Sequence, residues 1–111
     1  MVYSTRDLEK QLYLLACDDS RLKSDFAFCK IGVAKDPLRR IYVISTHTPL
    51  WTYPQRIWEQ DELGKMSAPH IETIVKRLLS DHQAKGGTRE WFQIDPSYAE
   101  RKVQEIIEEY Q

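Results

Sequence analysis

The chain has 111 residues, of which 41% are hydrophobic and 30% charged, and its formal net charge is −1. This length and apolar content predict a single folded domain over residues 1–111 and exclude a disordered chain. No apolar run approaches the roughly 20 residues that a membrane-spanning helix requires. Because the first residues are too polar for a signal peptide, we expect a cytoplasmic protein.

The first elements predicted along the chain are two strands. Residues 5–10 have the character of a short helical lead-in, and the apolar run at 11–17 predicts a buried strand. A polar loop follows, and residues 26–33 form the second predicted strand. Because the two strands are neighbours in sequence, we expect them to pair as a hairpin.

A helix is predicted to begin directly after this hairpin. Asp36 can accept hydrogen bonds at a helix N-terminus, and Pro37 fits the first helical position. These two residues predict a helix from Pro37 to about Thr46. Its side chains expected to face the core are Leu38, Ile41 and Tyr42.

The middle of the chain predicts a loop, a strand and a second helix. Residues 46–54 predict the loop, and residues 55–61 predict the third strand. Ser67 can cap the second helix, and Pro69 is tolerated in its first turn. The glycine-containing segment at 85–87 is expected to end this helix. Its apolar stripe comprises Ile71, Ile74, Val75 and Leu78.

The last predicted elements are a short strand at 90–94 and a helix over residues 96–110 that begins after Asp95. The helix residues expected to face the core are Ala99, Val103, Ile106, Ile107 and Tyr110. The resulting order is β-β-α-β-α-β-α, with two adjacent strands first. This order predicts an α+β fold with its core in residues 11–94 rather than alternating βαβ units.

Charge is distributed unevenly along the chain. Residues 30–40 carry four basic side chains and one acidic side chain, whereas residues 95–111 carry five acidic and two basic ones. A domain polarised in this way can present a basic face to a phosphate backbone. The alternative, ordinary solvated helix surfaces, explains the acidic tail well but explains the basic segment less well.

Several kinds of catalytic and metal site are excluded by the sequence. The chain has no glycine-rich phosphate loop, no HExxH and no GxSxG motif. Cys17 and Cys29 form neither a disulfide framework nor a zinc spacing, so we expect small apolar residues in strands. The histidines lack a metal-ligand spacing to one another and are expected at the surface; they are His47, His70 and His82.

A set of residues in a fixed order remains after these exclusions. It consists of Tyr13 in QLYLL, the KIG triplet at 30–32, Arg40, Glu72 and the EWF triplet at 90–92. This order and spacing resemble the GIY-YIG nuclease superfamily, and most closely its small phage and bacterial branch with KIG in place of YIG. The resemblance implies a small central antiparallel sheet of about three strands flanked by helices. It also implies a metal-dependent endonuclease that hydrolyses DNA.

The resemblance assigns catalytic roles to Tyr13, Lys30, Arg40 and Glu72. Tyr13 is the expected general base, and Lys30 would lower its pKa from about 10 by favouring the phenolate. Arg40 suits bidentate clamping of phosphate oxygens. Glu72 is the expected ligand of Mg²⁺ or Mn²⁺, because one carboxylate is sufficient when phosphate and waters complete the coordination.

The departures from the family pattern leave an alternative open. Gln11 and Leu12 replace the Gly-Ile of the first motif, and Lys76 stands where related sequences have a histidine. The alternative is therefore a catalytically inactive module of this fold that binds nucleic acid or another protein. For a nuclease or a nucleic-acid-binding module the expected partner is DNA, with RNA as a second candidate. The protein is expected to be either weakly specific or dependent on a separate DNA-reading partner protein. The residues expected to contact nucleic acid are Lys35, Arg39, Lys76 and Arg77, extended by Lys85 and Arg89.

Overall fold

The computed structural model describes residues 10–18, 28–47, 51–83 and 91–110. The strands in these ranges are Gln11–Asp18 (β1), Phe28–Ala34 (β2), Trp51–Trp58 (β3) and Trp91–Gln93 (β4). The helices are Pro37–Ser45 (α1), Ala68–Leu78 (α2) and Pro96–Glu109 (α3). Two short 3₁₀ turns, Gln60–Leu63 and Ser80–His82, follow β3 and α2. The element order predicted from sequence is confirmed, whereas the predicted lead-in at 5–10 lies outside the described residues.

The strands form one antiparallel sheet in the order β3-β1-β2-β4. The predicted hairpin of β1 and β2 lies at its centre. The α+β fold is therefore confirmed, with four described strands instead of about three. The fourth is β4, which pairs only with the first three residues of β2.

The sheet has one large and one small apolar cluster, because successive strand residues point to opposite faces. On one face, Leu12, Leu14 and Ile31 pack against α2 and α3 in the larger cluster. On the other face, Tyr13 and Leu15 pack against Ile41 of α1 in the smaller cluster. The two faces are called here the α2/α3 face and the α1 face. Other buried members of the larger cluster are Cys29, Trp58, Ile71, Val75, Phe92, Ala99, Val103 and Ile107.

Each helix begins at a polar cap, as predicted. The backbone N–H of Arg39 donates to Oδ1 of Asp36 at 3.2 Å. The N–H of His70 donates to Oγ of Ser67 at 3.4 Å, and that of Ser97 donates to Oδ1 of Asp95 at 3.4 Å. Each cap satisfies an N–H that the helix cannot pair, which typically stabilises a helix by about 0.5–2 kcal/mol.

The predicted boundaries of the third strand were wrong. β3 begins at Trp51, inside the predicted loop, and ends at Trp58 before the predicted end at residue 61. Pro54 lies within the strand because β3 is at the edge of the described sheet, where a missing ladder N–H is tolerated. The register of β1 against β3 also shifts beside this proline, since Leu14 pairs with Arg56 and Leu15 with Pro54.

The predicted core faces of the helices need four corrections. Leu38, Tyr42, Leu78 and Tyr110 are 61%, 69%, 53% and 48% exposed. In α1, the side chains that contact the sheet follow a narrow line through Pro37, Ile41 and Ile44, which leaves Leu38 and Tyr42 on one flank. Tyr110 is the C-terminal cap of α3, beyond its last packed turn.

The end of α2 was also predicted wrongly. The helix ends at Leu78, before the segment 85–87, which lies outside the described residues. Leu79 caps the helix and is 2% exposed, so it fills the place expected for Leu78. No helix in the described ranges is long and apolar enough to span a bilayer.

Candidate functional site

The aromatic ring of Tyr13 lies across Gly32 on the α1 face. The two residues are directly opposite in the β1–β2 pairing. A Cβ atom built on Gly32 would stand closer than 3.0 Å to Cζ, Oη and Cε1 of Tyr13, which is a steric clash. Tyr13 is 2% exposed, so its ring is held between the sheet and the small cluster. The glycine therefore makes room for the ring and fixes where the hydroxyl points.

Lys30 lies on the same face, two residues before Gly32 on β2. Its register partners are Leu15 of β1 and Trp91 of β4. Tyr13 and Lys30 are therefore diagonal neighbours, and Cα atoms in this relation are about 7–8 Å apart in antiparallel sheets. Lys30 is only 7% exposed, an unusual burial for a lysine. The register thus brings together the two side chains that the proposed base mechanism requires to be close.

Arg40 lies on the flank of α1 that faces β2. The flank of α1 that carries Leu38 faces β3, because Leu38 lines a pocket of about 420 Å³ together with Ile57 of β3 and Glu59, which follows β3. Successive side chains of an α-helix are separated by about 100° around the helix axis, so Arg40 lies about 200° from Leu38. Ile41 points at the sheet between these two flanks. Arg40, which is exposed, therefore projects on the side where Tyr13 and Lys30 lie.

Glu72 belongs to α2, which packs on the other face of the sheet. Its side chain is 22% exposed, and its Oε2 lies 3.6 Å from Nζ of Lys76, one turn later. It adjoins the buried stripe, as predicted, since Ile71 and Val75 are fully buried. Tyr13, Lys30 and Arg40 are thus associated with the α1 face, whereas Glu72 approaches from the α2/α3 face.

The two faces meet at the outer edge of β2. In the described part of the chain, β4 pairs with β2 only from Phe28 to Lys30. The outer edge of residues 31–34, which includes Gly32, has no strand partner among the described residues. α2 packs against β2. Val33, which belongs to this segment of β2, contacts the larger cluster. This edge is where a phosphate could be approached from both faces.

The residues of the predicted basic surface lie on two different elements. Lys35, Arg39 and Arg40 are exposed at the junction of β2 and α1, where Asp36 is engaged as the helix cap. On α2, Arg77 is exposed and Lys76 is paired with Glu72. Lys85 and Arg89 lie outside the described residues.

Comparison with known families gives an assignment over nearly the whole chain. Residues 11–111 match the T5orf172 domain. The chain belongs to the T5orf172 family. This family is associated with phage and bacterial nuclease-like domains, and membership indicates a role that involves nucleic acid. No curated protein and no solved structure matches the chain significantly.

At the predicted metal position, the described part of the T5orf172 domain offers the single carboxylate of Glu72 rather than a set of several ligands. Among the described residues, no group of three or more His, Cys, Asp or Glu side chains is arranged to hold a metal ion. Glu72 is partly accessible, which fits the mode in which Mg²⁺ takes one carboxylate and completes its octahedron with phosphate oxygens and waters. Lys76 forms an ion pair with this carboxylate.

The cysteines and histidines of the T5orf172 domain add nothing to this site. Cys17 and Cys29 are buried in β1 and β2, as predicted. Burial, aided by the charge of Asp95, raises the pKa of the Cys29 thiol to about 12, so this thiol stays protonated near neutral pH. His47 and His82 are exposed, as predicted, and His70 is half-buried in the first turn of α2.

Sequence reasoning missed one feature beside the site and one on the opposite flank of α1. Trp91 was noted only as part of the EWF triplet, yet it is the register partner of Lys30. The pocket was also missed, because its walls come from segments far apart in sequence. Register and pocket shape depend on long-range pairing, for which a single sequence gives no direct signal. The residues that line the pocket are Gln11, Lys35, Asp36, Pro37, Leu38, Ile57, Glu59 and Glu62.

Proposed function

We propose that this T5orf172 domain is a GIY-YIG-like, metal-dependent endonuclease that hydrolyses DNA phosphodiester bonds at the outer edge of β2. The observation that carries the proposal is the ring of Tyr13 over Gly32 on the same face as the buried Lys30. The exposed Arg40 on the facing flank of α1 supports it. Family membership supports the nucleic-acid part of the proposal independently.

Tyr13 acts in this proposal as the general base. Its phenolate takes a proton from the attacking water while the new P–O bond forms and the bond to the leaving oxygen breaks. Lys30, the diagonal neighbour of Tyr13 on the same face, supplies the positive charge that supports this phenolate in the proposal. General-base catalysis typically contributes about 10²–10⁴-fold to the rate.

Positive side chains stabilise the negative charge that the phosphate oxygens carry in the transition state. Arg40 clamps two phosphate oxygens through its planar guanidinium, and Lys30 adds a charge with little competing solvent. Such groups are most effective where water is excluded, because the effective dielectric constant is lower there. Lys35 and Arg39 contact the flanking phosphates, and Arg77 extends this contact on α2.

Glu72 is the residue that would hold Mg²⁺ or Mn²⁺. When bound, the ion neutralises phosphate charge and lowers the pKa of a coordinated water. Glu72 forms an ion pair with Lys76, and this pair would have to open for the carboxylate to hold the ion. We further propose that the protein acts in the cytoplasm. We also propose that a separate partner protein reads the DNA, since the acidic residues 95–111 are unsuited to contact its phosphates.

The direct test is nicking of supercoiled plasmid with Mg²⁺ or Mn²⁺ by the wild type and by Glu72→Ala. We expect the wild type to nick the plasmid only when the metal is present. We expect the variant to nick it at least about 10²-fold more slowly, which is the order of magnitude for loss of a catalytic group. Equal nicking by both proteins would reveal a contaminant and remove the role of Glu72. Thr73→Ala, a neighbouring exposed position on α2, serves as the matched control.

A second candidate function is a non-catalytic nucleic-acid-binding or protein-interaction module. It is favoured by the Lys76 ammonium that engages the only carboxylate assigned to the metal. Electrophoretic mobility shifts at several salt concentrations separate the two candidates, because phosphate contacts weaken steeply with salt. Salt-sensitive binding without cleavage in any divalent metal would favour the binding module. Salt-insensitive or absent binding would favour a protein partner.

A further inference from the structure

Trp91 lies immediately beside the proposed phosphate site. In β4 it is the register partner of Lys30, so both side chains are on the α1 face. The Cβ atoms of such cross-strand pairs are about 4.5–5.5 Å apart. The next residue, Phe92, points to the α2/α3 face and is fully buried, whereas Trp91 is half-buried.

The indole of Trp91 is half-buried and packs against the small cluster of Tyr13, Leu15 and Ile41. Among the described elements, α1 packs mainly against β3 and less against β2. An aromatic ring that is held by packing and still partly exposed is pre-organised to stack on a planar ligand.

An accessible aromatic ring beside phosphate-binding cations is the arrangement by which proteins hold unpaired nucleobases. The cations contact the backbone, and the ring stacks on the base, whatever the base is. In a duplex the base faces are covered by their neighbours, and only the edges are accessible in the grooves. A stacking ring at this position therefore favours a strand that is unpaired there.

We propose that Trp91 is a stacking platform for an unpaired nucleobase next to the phosphate held by Lys30 and Arg40. This inference rests on the proposed function and narrows its substrate class. The preferred substrate is DNA that is single-stranded or locally unpaired at the scissile phosphate.

The test is fluorescence anisotropy with a labelled oligothymidine and a labelled duplex of equal length, without divalent metal so that cleavage cannot occur. We expect Trp91→Leu to raise the single-strand Kd by about 5- to 150-fold, the range for loss of one base-stacking contact. Trp91→Phe keeps a ring and should retain most of the affinity. The duplex Kd should change little in either variant.

Tyr98→Leu is the matched control. Tyr98 is 38% exposed on α3, and its ring also has cations nearby, Lys102 at 5.3 Å and Arg101 at 5.8 Å. It lies on the helix that packs against the opposite face, so its loss should leave the single-strand Kd unchanged. An unchanged Kd in Trp91→Leu, or an equal loss for single strand and duplex, would overturn the proposal.

A second measurement applies if Trp91→Leu does not fold. Intrinsic tryptophan fluorescence should be quenched by unlabelled oligothymidine in the wild type, and the quenching should disappear in Trp91→Phe. Quenching that persists in this variant contradicts the proposal. Because binding is measured without metal, the two proposals can fail separately. If single-strand binding depends on Trp91 but the wild type never cleaves DNA with metal, only the nuclease proposal is refuted. If the wild type cleaves DNA but substitution of Trp91 leaves single-strand binding unchanged, only the stacking proposal is refuted.

Discussion

The two faces of the sheet differ in role, since one supplies most of the buried core and the other carries residues of the proposed site. The α2/α3 face carries a large cluster in which Leu12, Trp58 and Phe92 are fully buried. The α1 face carries a small cluster around Tyr13, and this face also holds Lys30 and Gly32. Because strand residues alternate between faces, a shift of one position moves a residue from the main core to the proposed site. Substitutions on the two faces should therefore separate stability from cleavage.

The largest effect is expected on the α2/α3 face. Phe92→Ala removes a fully buried ring from the main core, and we expect the free energy of unfolding to fall by about 3–5 kcal/mol. For a domain of this size most of the folded population can be lost. Urea denaturation measures the loss. A decrease below about 1 kcal/mol would show that the larger cluster is not the main source of stability.

Gly32→Ala is expected to affect both properties. The new Cβ clashes with the ring of Tyr13, so the ring must move or the strand must shift. Overpacking of this kind typically costs about 1–3 kcal/mol. Cleavage should fall by about 10²–10⁴-fold, because the displaced hydroxyl no longer reaches the water.

Val33→Ala is the control for Gly32→Ala, since the adjacent residue contacts the larger cluster. It should lower the unfolding free energy while leaving the cleavage rate of the folded protein intact. If both variants reduce cleavage by the same factor, the two faces are not functionally distinct.

Tyr13→Phe is expected to separate function from stability most clearly. The change removes one oxygen and keeps the packed ring, so the unfolding free energy should change by about 1 kcal/mol or less. Cleavage should fall by about 10²–10⁴-fold, and DNA affinity should hardly change. Plasmid nicking and mobility shifts measure the two quantities. Cleavage at the wild-type rate would leave the metal position intact and remove Tyr13 as the base.

Lys76→Ala is expected to have the smallest effect on stability. It removes a partly exposed ion pair within one helix, which is typically worth about 0.3–0.5 kcal/mol. Because the ammonium no longer competes for Glu72, the Mn²⁺ concentration needed for half-maximal cleavage should decrease. A titration of cleavage against Mn²⁺ tests this, with Thr73→Ala as the neighbouring control. An unchanged requirement would show that Lys76 does not compete with the metal.

The parts of the fold that were predicted from sequence depend on local chemistry. Asp36 and Ser67 mark helix starts because a side-chain oxygen satisfies nearby N–H groups. The apolar run at the start of β1 identifies a buried strand without reference to the rest of the chain. These features require only neighbouring residues, so a single sequence is sufficient to find them.

The parts that were missed depend on long-range contacts. Pro54 suggested a loop, and only its place on an edge strand explains why it lies in β3. Leu38 and Tyr42 were assigned to the core because α1 has more apolar residues than the sheet can contact. The side of the sheet that Glu72 approaches follows from the packing of α2, which no local pattern specifies.

The position of Glu72 also limits how well the site could be predicted. The residue types followed from the family resemblance, whereas their arrangement on two faces did not. The contact of Tyr13 with Gly32 required the strand register, and the edge of β2 required the extent of its pairing with β4 among the described residues.

Pro54 has a further consequence for how copies of this protein behave at high concentration. An edge strand offers unpaired N–H and C=O groups to which a strand of another chain can attach. Proline has no N–H to offer, and the neighbouring register shift makes this stretch of β3 irregular. The edge of β3 is therefore a poor template for intermolecular sheet growth, so the residue that obscured the strand in the sequence also protects it from aggregation.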